Sequence, residues 1–317
     1  MTILIRELRR FMFLRRGRHI LSPDNELATL SSNQNFQISW KFVSLRRASP
    51  SVMRCEMESA LSRSIGIGYD ANPFHAALRA FSEAWERHVY DMLRLGKLTS
   101  RLQPPMSSNG FAAHWNEVDA VLNARHELIE RQILLLAWRN LCGWVPIVIA
   151  EDLALRRLRQ SHWHLKVYSL SNSTNLRCFA AVARHQEHGA VFDTVAGEFG
   201  READCLRRLK LSILRMAMVA ERLDGNVLSG VTEESGSPTL NSRFYRNPKN
   251  CAVFDDLERA DKGQQVLMPN LKEIDVEFFR FGRTLPFVAR AINPYWEEDI
   301  WSKPPVSSRN GAPLPLA

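Results

Sequence analysis

Two helix-like runs in this chain end in the same way, and that repetition constrains the fold more than any other feature of the sequence. The first reads Ala76-x-x-x-Ala80-x-x-Glu83-x-x-Glu86-Arg87 and the second Ala120-x-x-x-Ala124-x-x-Glu127-x-x-Glu130-Arg131. At 100° per residue, Ala76, Ala80, Glu83 and Arg87 fall within roughly 60° of one another on a helix. They form a strip at the edge of an apolar face made by Ala77, Ala80, Phe81, Ala84, Trp85, Val89 and Met92. Glu86 stands further round but still adjacent. The small residues leave room, and an acid and a base project beside it. Two such helices facing each other would gather four carboxylates and two guanidiniums around one space.

Around these helices the period of the hydrophobic pattern changes. Residues 74–95 and 116–143 read as long helices, the first with Asn72 as N-cap and Pro73 in the first turn. Residues 145–150, 164–171, 176–184 and 190–197 read as strands, with a helix over 152–160 between the first two and a third long helix over 201–223. Residues 99–111 read as a loop. The fold class expected is α+β, long helices packed on an antiparallel or mixed sheet. A segment over 1–51 is basic and mixed in pattern, a domain is expected over 52–292, and residues 293–317 form a proline-rich tail.

The rest of the composition excludes more than it implies. No apolar run approaches the roughly 18 residues that a transmembrane helix needs; the longest, residues 133–138, is core-sized. The N-terminus lacks the apolar stretch and cleavage site of a secretory signal. Five scattered cysteines without a C-x-x-C argue against a disulfide framework and fit a reducing, cytoplasmic setting. His162 and His164 share a face of a strand-like run, yet no further ligand is spaced for zinc, so they read as surface or part-buried histidines. A net charge of +8 admits an anionic partner. The basic runs 155–160 and 206–210 have no interleaved aromatics, so solvated helical faces explain them as well as a nucleic-acid surface does.

Two readings of the repeated carboxylates follow. In one, Glu83/Arg87 and Glu127/Arg131 are i,i+4 ion pairs on solvated faces, worth about 0.3–0.5 kcal/mol each. In the other they build a site for a polyanion and its metal. Carboxylates without histidines suit Mg²⁺, and guanidiniums suit phosphate oxygens through paired bonds. No G-x-x-x-x-G-K-[ST] occurs, which excludes a P-loop as the cradle. Ahead of the second helix, Ser107-Ser108-Asn109-Gly110 offers hydroxyls, an amide and a glycine backbone that a ligand can approach closely.

A Ser-Asn-Gly followed by A-x-x-x-A-x-x-E-x-x-E-R resembles the YcaO family, as does the earlier Gly66-Ile67-Gly68 followed by the first helix. The order of elements continues to match through a third helix to Pro313-Leu314-Pro315, so the likeness runs over residues 52–317. It implies a YcaO-like fold, ATP and Mg²⁺ as cofactors, and activation of a backbone amide in a ribosomal precursor peptide by phosphorylation of its oxygen. The products implied are azolines by cyclodehydration, or thioamides as in trifolitoxin-like pathways, within bacteriocin or peptide-antibiotic maturation. A leader-binding or thioamidation partner protein is implied, and neither nucleic acid nor membrane. Carried over by position, Glu83, Glu86, Glu127 and Glu130 correspond to metal ligands. Ser108, Asn109, Arg87 and Arg131, with Glu83 and Glu130, correspond to nucleotide contacts, and Pro313 and Pro315 to the Pro-x-Pro tail of azoline-forming members, with the catalytic residues left open. The chain departs from the family pattern where Ile67 replaces a lysine, and where Ser212 and Arg215 replace a glutamate and a glutamine on the third helix. These departures raise a second expectation, a non-catalytic scaffold subunit of a maturation complex.

Overall fold

The computed structural model describes residues 28–31, 36–43 and most of 51–296, leaving aside 223–243, 258–267 and several shorter stretches. In chain order the strands and α-helices are β1 (Ala28–Ser31), β2 (Phe36–Val43), β3 (Ser51–Ser59), β4 (Arg63–Asp70), α1 (Pro73–Arg94), β5 (Phe111–His114) and α2 (Glu117–Trp138). They continue with β6 (Trp144–Ile147), α3 (Leu153–Gln160), β7 (His164–Leu170), β8 (Leu176–His185), β9 (Gly189–Glu198), α4 (Glu202–Arg222), β10 (Asp275–Phe279) and β11 (Phe287–Ile292). The chain divides into two compact units, Met1–Leu128 with Ile274–Ile292, and Ile129–Glu273 with Asn293–Ala317. The boundary falls inside α2, which is a single continuous helix.

In the first unit, β1 to β4 form an antiparallel meander with β4 at its edge. Alternation along β3 and β4 turns Met53, Cys55, Met57, Ser64, Gly66 and Gly68 to one side, where α1 packs. Asn72 caps α1, its side chain accepting the Phe74 N–H at 2.9 Å, and Pro73 opens the first turn as the sequence indicates. The approach of helix to strand is close: a Cβ on Gly68 would stand 1.8 Å from the Ala76 carbonyl oxygen, and one on Gly66 2.0 Å from that of Ala80. This corrects one expectation. Ala76 and Ala80 do not border a space left for a ligand; they are fully buried against the two glycines. A second antiparallel sheet, in the order β10-β11-β5, completes this unit.

The second unit is an antiparallel meander β6-β7-β8-β9. One face carries Val167, Phe179, Ala181, Val191 and Val195 against Leu209, Ile213 and Ala217 of α4. Asp152 caps α3 by accepting the Leu155 N–H at 3.0 Å and also pairs with Lys210 of α4, joining the two helices. Trp138, Trp144, Tyr168, Phe192, Tyr245 and Phe254 form a separate aromatic cluster with edge-to-face and tilted contacts.

The α+β expectation agrees with this arrangement, and the strands expected over 164–171, 176–184 and 190–197 form within a residue or two of those bounds. The second long helix stops at Trp138, five residues short of the expected end. Strands β1, β2 and β5 arise where no regular element is expected.

Candidate functional site

In the first unit, α1 and the first part of α2 supply Glu83, Glu86, Arg87 and Glu127. Glu83 accepts the backbone N–H of Ile67 at 2.7 Å and pairs with Arg87 at 2.6 Å. Arg87 donates in turn to the Ile65 carbonyl at 2.7 Å. Ile65 and Ile67 direct these backbone groups away from β3, so an acid and a base one helical turn apart close the open edge of the sheet. The i,i+4 ion pair expected here exists, and it does structural work at the same time.

Glu86 has different surroundings. Burial pushes its carboxyl well above the ordinary range, and the neighbouring charges of Glu127 and Glu83 add to the effect. The Arg87 guanidinium and the Ala113 N–H oppose it without prevailing. Two carboxylates and one guanidinium thus act on Glu86, and burial and the acids prevail. All the donors are hard oxygens, the set that Mg²⁺ prefers over softer metals. Among the described residues, however, only His185, Glu187 and His188 bring ligand atoms close enough together to share an ion.

Glu130 and Arg131, which end the second copy of the repeat, lie in the second unit and are engaged otherwise. Glu130 accepts the Thr194 hydroxyl at 2.5 Å with one carboxylate oxygen and the Ala196 N–H at 2.8 Å with the other. Arg131 donates to Thr194 Oγ1 at 3.2 Å and to Glu130 at 3.3 Å. Behind them lies Asp193, whose carboxyl is raised by burial; Ser212 and Arg131 oppose that rise and Glu130 adds to it. Sequence reasoning passed over Asp193 and Thr194. The one signal was an acid inside the apolar run 190–197, since an unpaired charge in a buried strand is costly.

The Ser107–Gly110 loop leads into β5. Ser107 Oγ accepts the Asn109 N–H at 3.3 Å, and Asn109 is nearly buried. Gly110 has φ +76°, and a Cβ there would stand 2.3 Å from the Ala291 carbonyl oxygen. Its own carbonyl accepts the Ala291 N–H at 2.8 Å, which fastens the loop to β11. Ser212 is buried on α4, next to Asp193. Pro313 and Pro315 lie outside the described residues.

At the β8–β9 turn, His185, Glu187 and His188 stand close enough to share an ion. However, His185 Nδ1 accepts the backbone N–H groups of Glu187 at 3.1 Å and His188 at 3.2 Å. The ring proton then stands on Nε2, so neither nitrogen offers a metal a free lone pair.

The family described as YcaO cyclodehydratase, ATP- and Mg²⁺-binding, has a model that matches residues 100–205. Over that segment, about a third of the chain, the sequence is similar to the YcaO family. The match takes in Ser108, Asn109, Glu127, Glu130 and Arg131, whereas the α1 half of the repeat lies before it. The YcaO fold extends further. A solved structure of YcaO from Methanopyrus kandleri bound with AMPPCP and Mg²⁺ is similar with a TM-score of 0.54 and 13% identity, over 92% of this chain and 89% of that one. A heterocyclase solved in complex with substrate and cofactor gives the same TM-score and 13% identity, over 84% of this chain and 49% of that one. The chain therefore spans about half the length of that heterocyclase. At such identities the likeness concerns the fold, and it agrees with the YcaO-like architecture expected from the sequence. The expectation of ATP and Mg²⁺ agrees with the description of the YcaO family. No curated protein sequence matches the chain.

Proposed function

We propose that the protein is an ATP-dependent YcaO enzyme that activates a backbone amide of a ribosomal precursor peptide. The outcome would be an azoline formed by cyclodehydration, or a thioamide, in bacteriocin or peptide-antibiotic maturation, with a partner protein holding the leader. The observation that carries this reading is Glu86, a buried carboxyl held above the ordinary range by burial and by the neighbouring charges of Glu127 and Glu83, the carboxylates of the repeated motif. In this reading these residues and Glu130 hold Mg²⁺, while Arg87, Arg131, Ser108 and Asn109 hold the nucleotide. Bound Mg²⁺ supplies positive charge to the phosphate oxygens, and phosphoryl transfer needs little else beyond positioning. The chain's own residues would orient the γ-phosphate, exclude water and fix the amide. Asp193 beside Ser212 supports the reading, since a carboxyl is present next to the position where the family pattern has one.

A second reading is a non-catalytic YcaO scaffold subunit. It is favoured by one observation: Glu83, Arg87 and Glu130 all hold backbone groups of β4 or β9.

Calorimetric titration with ATP, with and without Mg²⁺, tests both. The enzyme reading expects saturable, Mg²⁺-dependent binding that Glu127→Ala abolishes while the thermal melt is unchanged. Equal binding by Glu127→Ala and wild type would remove Glu127 from the site and return it to an ion pair. No binding by the wild type, even with a precursor peptide present, would put the scaffold reading first.

A further inference from the structure

In the first unit three side chains stand in one row across the small sheet β10-β11-β5. Glu277 of β10 is opposite Arg290 of β11, and Arg290 is opposite Phe111 of β5, so the three share a face. All three are buried, Arg290 and Phe111 fully and Glu277 at 6% exposure. The Arg290 guanidinium stands over the Phe111 ring, 5.6 Å from its centroid. A carboxyl and a guanidinium are costly to take out of water, and apolar residues would fill such a row at less cost. The bonds that the two polar side chains make show what they do there instead.

Both oxygens of Glu277 are taken up by the loop that follows α1. Oε2 accepts the Ser100 hydroxyl at 2.5 Å, and Oε1 accepts the Arg101 N–H at 2.7 Å. The Arg101 guanidinium donates back to the Val276 carbonyl of β10, and Ser100 Oγ accepts the Leu102 N–H at 3.1 Å. Arg290 Nη1 donates to the Gln103 carbonyl at 2.5 Å. The loop is fastened a second time at Gly110, whose carbonyl accepts the Ala291 N–H at 2.8 Å. Gln103 and Gly110 are thus tied to consecutive residues of β11. The chain between them, which carries Ser107, Ser108 and Asn109, leaves that strand and returns to it as a loop closed at its base. Inside the loop the Phe111 N–H donates to the Ser108 carbonyl at 3.2 Å, and the Asn109 N–H to Ser107 Oγ at 3.3 Å.

We infer that Glu277 is a positioning residue for the nucleotide: it holds the Ser107–Gly110 loop in the shape in which Ser108 and Asn109 meet the ligand, and it acts only through that loop. The inference rests on the nucleotide reading above. Its physical content is preorganisation. A loop fastened before the ligand arrives has little backbone freedom left to lose on binding. The chemistry of the side chain agrees. A carboxylate accepts two donors at once, here a hydroxyl and a backbone N–H, whereas an amide of the same size has one acceptor oxygen and turns a donor toward the second partner. Glu277 stands 177 residues from Ser100 in the chain, which is why no local pattern announces it.

The test is calorimetric titration of the full-length protein with ATP and Mg²⁺, for wild type, Glu277→Gln, Asn109→Ala and the double variant. Glu277→Gln should weaken ATP about tenfold, with far-UV circular dichroism unchanged and amide hydrogen exchange quickened over residues 99–111 but not in α1. The double variant should lose less than the product of the two single losses, because Glu277 acts through residues that include Asn109. Should Glu277→Gln fold poorly, Ser100→Ala removes the loop's half of one of its bonds, and the same weakening and the same non-additivity with Asn109→Ala are expected. ATP affinity equal to wild type in the variant that folds, or losses that simply multiply in the double variant, overturns the inference and leaves the nucleotide reading in place. No ATP binding by the wild type overturns the nucleotide reading itself, and the inference falls with it.

Discussion

The two copies of the Glu-x-x-Glu-Arg ending share a spacing and differ in what they hold. On α1, Glu83 and Arg87 clasp the exposed edge of β4, with 33% and 49% of their side chains open to solvent. On α2, Glu130 and Arg131 are less open, at 13% and 22%, and hold Thr194 and Ala196 of β9. The first copy is a clasp that water can replace. The second is a desolvated network whose members depend on one another. The same sequence pattern therefore guarantees the helix and the direction of the side chains, and the neighbouring strand decides how much each bond is worth.

That comparison can be broken at its base. Gly68→Ala should cost about 3 kcal/mol or more, because its Cβ would overlap the Ala76 carbonyl and backbone must move. Gly200 is the control: φ is +87° but nothing lies within 4 Å, so Gly200→Ala should cost only about 1 kcal/mol of backbone strain. Chemical denaturation of both variants measures the difference, and equal losses would show that the close packing of α1 on β4 is not what stabilises this unit.

The carboxylates sharpen it. Glu130→Ala should destabilise by about 2 kcal/mol, since it strips acceptors from the Ala196 N–H and the Thr194 hydroxyl. Glu83→Ala should cost no more than about 1 kcal/mol, because solvent reaches the Ile67 N–H it leaves. If the two losses come out in the opposite order, the clasp at β4 is the stronger bond.

The smallest effect concerns pH. Glu86 and Asp193, one in each unit, both have carboxyls raised by burial. A raised acid binds its proton more tightly in the folded state, so each contributes stability at low pH that is lost as pH rises from the unfolded value, near 4, through the folded one. Glu86→Gln and Asp193→Asn should each flatten the fall of Tm between pH 4.5 and 8 relative to wild type. The flattening should be larger for Glu86→Gln, which has two carboxylate neighbours and a single guanidinium. Identical pH profiles for wild type and Glu86→Gln would mean that the carboxylate cluster is not built.

Much of this was legible in the chain. Asn72 and Pro73 set the start of α1 through local chemistry alone, and the alternation over 164–198 set three strands because one face of each must be buried. The site residues were legible as a list, through the A-x-x-x-A-x-x-E-x-x-E-R repeat, but their bonds were not. Strand β5 could not be read, because four residues, Phe111–His114, are too few to show a period and are held by pairing with β11, well over a hundred residues away. Asp193 and Thr194 were missed for a related reason. Their importance comes from Glu130, Arg131 and Ser212, which are distant in sequence.

The sequence by itself determined that Glu83, Glu86 and Arg87, and likewise Glu127, Glu130 and Arg131, stand on one side of a helix each, because helical geometry depends only on spacing. It also determined the fold class and the YcaO resemblance. Only the tertiary structure decided that Ala76 and Ala80 face Gly68 and Gly66 instead of a ligand, that Glu83 is tied to β4 and Glu130 to β9, and that Glu86 is the carboxyl that burial and two acidic neighbours raise. Burial and partnership are properties of residues that meet across long stretches of chain, and no local pattern carries them.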